Sequence, residues 1–150
     1  MPAFAKDCLQ GKTVLIAGGL GAIGRVVVSA LLEHSARVAV NDVLSVEHAG
    51  QLGKDLAWPS ERFVYVRADV TRPEGAEELA RKTLEAFGSL EVALCHAGMA
   101  HSCPILQYSE AEWDRIMDLN LKSAFLVAQA SARAMVERGI NGGCSLYPMD

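Results

Sequence analysis

Hydrophobic positions along the chain change their period in a repeating way. Short runs rich in β-branched residues, Thr13–Ala17 (TVLIA), 37–41 (RVAVN), Phe63–Arg67 (FVYVR) and 91–96 (EVALCH), are mostly apolar throughout, as parallel strands covered on both faces are. Between them, apolar residues recur three and four apart, the spacing of a helix with one buried face. Ala22–Glu33 sets Ile23, Val27, Ala30 and Leu31 on one side, and Pro73–Phe87 opens with Pro and Glu and stops before Gly88, the expected start and stop signals. Residues 109–138 read as one long helix, with Ser109 and Glu112 spaced as a capping box and a stripe of Trp113, Ile116, Met117, Ala124, Val127, Ala128 and Met135. Strands alternating with helices through short turns predict an α/β fold, a doubly wound parallel sheet of about four to five strands with helices on both faces. No repeat or linker divides it, so residues 1–150 are expected to form a single domain.

Composition narrows the function. The 150 residues are 51% hydrophobic, and 14 basic against 18 acidic side chains give a net charge of -4, which speaks against nucleic acid or an anionic membrane surface as partner. Lys6 and Asp7 interrupt the start of the chain where a secretory signal is apolar, so a cytoplasmic location is expected. The longest uncharged apolar run, residues 13–24, contains four glycines and is short of the about 20 residues that span a bilayer. Cys8, Cys95, Cys103 and Cys144 form no Cys-x-x-Cys pair and read as reduced structural thiols, with no metal site implied. His34, His48 and His101 share no ligand spacing and are assigned to the surface.

The chemistry concentrates after the first strand. Gly18-Gly19-Leu20-Gly21-Ala22-Ile23-Gly24 leads directly into the first helix, where free backbone amides and the helix dipole favour a dinucleotide pyrophosphate. Asp42 ends the second strand 18 residues after Gly24, near the place of a carboxylate that takes the adenosine ribose hydroxyls, with Val43 beside it. The glycine string alone is also compatible with a tight turn that binds nothing; its position between strand and helix, with Asp42 downstream, favours a dinucleotide-binding domain. A carboxylate at Asp42 repels a 2′-phosphate, and no Lys or Arg adjoins it in the sequence. NAD is therefore expected over NADP.

From about Gly11 to Gly143 the chain resembles the short-chain dehydrogenase/reductase family, with a Rossmann-like fold implied. The glycine turn is similar to the family's Thr-Gly-x-x-x-Gly-x-Gly, with Ala17 in place of Thr and Ala22 in place of the middle Gly. Gly18, Gly21 and Gly24 also suit the spacing of the family's longer members, so spacing selects no subfamily. Asp69-Val70 resembles the family's Asp-Val pair, which implies a hydrogen bond from the adenine amino group to Asp69; a helix cap is the competing role. Cys95-His96-Ala97-Gly98 stands where the family has Asn-Asn-Ala-Gly, and the resemblance places His96, Ala97 and Gly98 along the cofactor ribose. His96 as a catalytic base is the weaker reading beside a structural His at a strand end. Asn120 falls on the apolar stripe, four residues after Ile116, and is expected to be buried and partnered. It is similar to the catalytic Asn of the family, which implies that it holds a proton-relay water; a locally satisfied helix kink is the alternative.

The family's acid/base pair, Tyr-x-x-x-Lys, is not in this sequence. Tyr65 is followed four residues on by Asp69 and Tyr108 by Glu112, while Tyr147 is followed by only three residues. Pro148 interrupts the fifth strand expected around Gly142-Gly143, and Ser145 is too close to Gly143 for the family's strand-end Ser. The resulting expectation is the cofactor-binding front part of an NAD(P)-dependent oxidoreductase, truncated before its catalytic residues. Its substrate would be a small secondary alcohol or ketone. Resemblance implies a homo-oligomer for the complete protein, since the long helix commonly meets a second subunit. A non-catalytic dinucleotide-binding module and a domain for another adenosine ligand are the alternatives.

Overall fold

The computed structural model describes residues 5–146. β1 (Thr13–Ala17) is buried along its full length because its alternating side chains feed two separate cores. Val14 and Ile16 join Val28 and Leu32 of α1 (Ala22–Glu33) and Ala49 of α2 (Val46–Asp55), together with Trp58. Leu15 and Ala17 join Leu79 of α3 (Pro73–Phe87) and Val127 and Met135 of α5 (Ser123–Glu137). Each fully buried Leu or Ile of this kind contributes about 1.5–3 kcal/mol relative to exposure.

β1 has β2 (Arg37–Asp42) on one side and β4 (Val92–Cys95) on the other; β3 (Phe63–Arg67) and β5 (Gly143–Leu146) complete a five-stranded sheet in the order β3-β2-β1-β4-β5. All four pairings are parallel. The chain winds outward from β1 to β3 and then returns to start β4 on the opposite side of β1. This reversal opens a crevice at the carboxyl ends of β1 and β4, where ligands of open α/β sheets bind.

Most predicted elements are present, with shifts of a residue or so at strand ends. α3 begins at Pro73 and ends at Gly88, whose φ of 76° is the left-handed cap that glycine adopts without strain. Two expectations need correction. α2 is absent from the predicted elements: VEHAGQLGKD holds two glycines and only Val46, Ala49 and Leu52 as apolar residues, yet Ser45 caps its start and Ala49 and Gly53 pack inward. The long helix over 109–138 is three pieces: α4 (Glu110–Met117), a π-helical turn at Asp118–Lys122, and α5. The capping box of Ser109 and Glu112 is present as expected. The wider turn inserts a residue into the helical ladder and rotates α5 relative to α4, so one stripe cannot run through both helices. Trp113, assigned to that stripe, is 57% exposed, whereas Val127, Ala130 and Met135 are buried. β5 pairs with β4 as an edge strand, and its four residues are exposed. Pro148 and Tyr147 lie outside the described residues.

Candidate functional site

A cleft of about 360 Å³ opens at the crevice, lined along one wall by Gly18, Gly21, Ala22, Ile23 and Gly24 and along the other by His96, Ala97 and Gly98. Asn41, Asp42 and Val43 from the end of β2, and Ala68, Asp69 and Val70 after β3, close the far end. The fold thus gathers nearly all of the residues singled out in the sequence. Gly19 and Leu20 do not line it. A Cβ on Gly19 would meet the Val40 side chain at 2.7 Å, and Leu20 is 6% exposed within the α1 core.

The glycines of the turn have different causes. A Cβ on Gly18 would lie 2.7 Å from Ala97 Cα, and one on Gly24 would lie 2.5 Å from Gly18 O; the close approach of β1, α1 and the β4 turn accounts for both. Gly21 is different. Its φ of -63° suits any residue, it is exposed, and the nearest atom to a Cβ there is Gly18 O at 3.5 Å. Nothing within the protein requires glycine there, and its open side faces the cleft. Gly21 is also the N-cap of α1, and no side chain caps this end and no acidic residue occupies its first turn. The positive end of α1 is therefore directed at the cleft without internal compensation. Both features fit a pyrophosphate.

Asn41 is a site residue that the sequence reading missed. It is 1% exposed; its Nδ2 donates to the carbonyls of Val66 (3.0 Å) and Ala68 (2.9 Å), fastening β2 to β3, while its backbone carbonyl accepts from Gly19 N–H at 3.0 Å. Its Oδ1 is buried without a hydrogen bond among the described residues, and Asn41 is among the residues that line the cleft. An apolar run ending in an amide was the available signal.

Asp42 accepts Val43 N–H on Oδ1 at 2.8 Å. The loop that carries it is held from β3: the Tyr65 hydroxyl donates to the carbonyls of Asp42 (3.0 Å) and Leu44 (2.7 Å), and Arg67 Nε donates to that of Val43 (3.1 Å). Burial first, then the Asp42 charge, pushes the Tyr65 phenol up to about 12, against the opposing effect of Arg67. No ion pair to Asp42 is present among the described residues, but a basic residue stands in register with it across the sheet. Arg67 is its register partner on β3, 25 positions away in sequence but adjacent across the sheet.

Asp69 is exposed, and its Oδ1 accepts Thr71 Oγ1–H at 2.7 Å and Thr71 N–H at 3.0 Å. The Thr71 hydroxyl holds the carboxyl below the usual carboxylate range, helped by the Thr71 amide and the charges of Arg72 and Lys122. Asp69 shapes the turn before α3 but does not cap it; the N-cap is Arg72. Gly75 allows the first turn of α3 to press against the Asp69 carbonyl, where a Cβ would collide.

Asn120 departs most from expectation. It is exposed, in the π-helical turn, and does not line the cleft. Its side chain clamps the segment after β4: Nδ2 donates to Met99 O and Oδ1 accepts Met99 N–H, both at 2.8 Å. Its neighbour Leu119 faces the cleft. Among the described residues no group of His, Cys, Asp and Glu could hold a metal, and no helix is long and apolar enough to cross a membrane. His101 pairs with Glu112 at 3.2 Å, and the four cysteines are free.

Known proteins resemble this chain in sequence and in fold. The chain is 32% identical over 137 residues to an L-rhamnose 1-dehydrogenase (NAD(P)(+)) of Sphingomonas sp., covering 89% of this chain and 53% of that protein. It is 36% identical over 137 residues to short-chain dehydrogenase reductase 3b of Arabidopsis thaliana, covering 89% and 51%. Among solved structures, a short-chain type dehydrogenase/reductase from Mycobacterium marinum superposes with a TM-score of 0.83 at 33% identity, over 91% of this chain and 55% of that one. The chain spans about half the length of the curated relatives it matches. The family model for short chain dehydrogenase matches residues 12–143, and the chain belongs to that family.

Proposed function

We propose that this chain forms the adenosine and pyrophosphate half of an NAD-binding site in an oxidoreductase that moves hydride between nicotinamide and a secondary alcohol or ketone. The observation that carries the reading is Gly21: a glycine that the protein's own packing does not require, at an uncapped helix N-terminus facing the cleft. The bound cofactor would supply the hydride acceptor or donor. The chain's own residues bind and orient it. The amides at the start of α1 receive the pyrophosphate, Asp42 accepts the ribose hydroxyls, and Asp69 with Val70 meets the adenine edge. His96, Ala97 and Gly98 border the second ribose. Asp42 favours NAD over NADP through repulsion of a 2′-phosphate.

The relatives include dehydrogenases of a sugar and, in Sphingobium indicum, of a chlorinated cyclohexadienediol, which supports a small hydroxylated substrate. The reading includes a cytoplasmic protein and a homo-oligomer, the latter supported by the exposed Trp113, Leu121 and Phe125 on α4, the π-turn and α5. Without Tyr-x-x-x-Lys in these 150 residues, the acid/base step has to come from sequence outside them. A non-catalytic dinucleotide-binding module is the second reading, favoured by that same absence.

Calorimetric titration of the chain with NAD, beside the Asp42→Ala variant, tests the first step. Saturable NAD binding that weakens in the variant is the expected result. A folded chain that binds no dinucleotide would overturn the reading, and turnover of secondary alcohols by the protein with its adjoining coding sequence separates enzyme from module.

A further inference from the structure

The cleft wall formed by His96, Ala97 and Gly98 continues into residues 99–109, which cross to the start of α4 with a single 3-10 turn, Ile105–Gln107, on the way. Apolar packing does not hold the tip of this segment, since Ile105 and Leu106 are 84% and 97% exposed. Polar contacts to α4 and the π-helical turn hold it instead. Asn120 and the Arg115 guanidinium, 3.5 Å from the Met99 sulfur, fix its start, and the capping box at Ser109 fixes its end. Between them stands His101, whose Nε2 lies 3.2 Å from Glu112 Oε1 and whose ring meets that of Tyr108 edge-on at 5.7 Å.

The Glu112 carboxylate divides its two oxygens. Oε2 accepts the Ser109 N–H at 3.1 Å and the Ser109 hydroxyl at 2.7 Å, which orients the group and leaves Oε1 to His101. The Ser109 hydroxyl first, then its amide, then His101 hold the Glu112 carboxyl below the usual carboxylate range. Glu112 is therefore ionised across the span of about pH 5 to 8 in which histidine changes charge. A neutral imidazole offers Oε1 one ordinary hydrogen bond, whereas an imidazolium makes a stronger, charge-assisted one. Among the described residues, the charged and titratable groups around His101 are Glu112 and Arg115 of α4 and Tyr108. Arg115 repels the imidazolium, but Glu112 is the group in contact with it.

We propose that His101 and Glu112 form a pH-dependent latch, which fastens the segment beside the cleft to α4 when His101 is protonated and loosens it when the imidazole is neutral. The latch acts on the segment itself, whatever ligand the cleft takes.

The N–H groups of Gln107 and Tyr108 bond to the carbonyls of Pro104 and Ile105 within the segment, so their hydrogen exchange reads the latch. Protection factors remove the intrinsic pH dependence of exchange. In the 150-residue chain this protection is expected to rise about two- to fivefold from about pH 8 to about pH 5.5, the effect that an exposed ion pair supports, while β1 amides stay constant. His101→Gln keeps a hydrogen-bond donor without a titratable ring and should abolish the rise. Glu112→Gln keeps an acceptor for Ser109 without the charge and should abolish it too. Ser109→Ala should weaken protection in the first turn of α4 yet leave the rise in place. An equal rise in His101→Gln would assign the pH dependence to another group and overturn the inference, as would wild-type protection that stays flat across the range.

Discussion

Ala17 and Cys95 stand opposite each other across the β1/β4 ladder. Both belong to the core beneath α3 and α5, at 1% and 3% exposure. In the family motifs that the chain resembles these two positions are a Thr and an Asn, whereas here both are apolar and in register. Burial, with a smaller effect of Cys144, pushes the Cys95 thiol up to about 12, so it packs here as a neutral small hydrophobe.

This pairing can be measured by a double-mutant cycle. Cys95→Asn alone places an amide in an apolar layer and is expected to destabilise the fold by about 1–3 kcal/mol. Ala17→Thr sets a hydroxyl about 5 Å away across the ladder, and the double variant should recover at least about 0.5 kcal/mol relative to the sum of the singles. Urea unfolding of the four proteins measures the coupling; strict additivity would contradict it.

Two glycines of the turn should separate folding from binding. In Gly24→Ala the new Cβ meets backbone on two sides, Gly18 O at 2.5 Å and Gly19 Cα at 2.8 Å, so the strand-to-helix turn has to open, at about 1–3 kcal/mol. Gly21→Ala meets nothing closer than 3.5 Å and loses only the modest preference of an N-cap for glycine, about 1 kcal/mol or less. Thermal melts should therefore rank Gly24→Ala as the more damaged fold. Calorimetry should find that Gly21→Ala, though folded, has lost most of its NAD affinity.

The range of the forces involved decides which features were legible in the sequence. β1 and the glycine turn were readable because burial on both faces and a tight backbone each leave a local mark in residue type. α2 left little, since its stability comes from a cap at Ser45 and from packing of Ala49 and Gly53 against the sheet. The π-helical turn was invisible: one additional residue in a helical ladder changes which side chains face inward without a change in composition, and so Asn120 emerged on the exposed side. Arg67 was missed for a third reason. Its relation to Asp42 exists only through the β2/β3 register, which sequence spacing does not reveal.

The clamp of Asn120 on Met99 makes a prediction of its own. Both bonds are 2.8 Å and join the π-helical turn to the segment after Gly98. Asn120→Ala removes two hydrogen bonds at an exposed position, worth about 0.5–1.5 kcal/mol each. Asn120→Asp keeps the acceptor for Met99 N–H but sets a carboxylate oxygen against Met99 O. Amide exchange at Met99 should accelerate strongly in the Ala variant and less in the Asp variant, with β1 and β2 amides unaffected. Uniform acceleration across the sheet would mean that the residue supports the whole fold rather than this segment.

Acid should act on the turn before α3 through Asp69. Its carboxyl is held low chiefly by the Thr71 hydroxyl, then by the Thr71 amide and nearby positive charge. A folded-state pKa below the unfolded value of about 3.9 means that the ionised group contributes stability in full above that pH and loses it as pH falls through the folded value. The stability difference between wild type and Asp69→Asn should therefore be flat from neutral pH down to about 5 and shrink only below about 4. Thr71→Val removes the largest cause of the shift, so the Asp69 carboxyl should titrate closer to the ordinary range in that variant. Carbon-detected NMR of the Asp69 carboxyl measures both midpoints. A wild-type midpoint at or above the Thr71→Val value would show that the turn, as drawn by these two hydrogen bonds, does not govern the charge that faces the cleft.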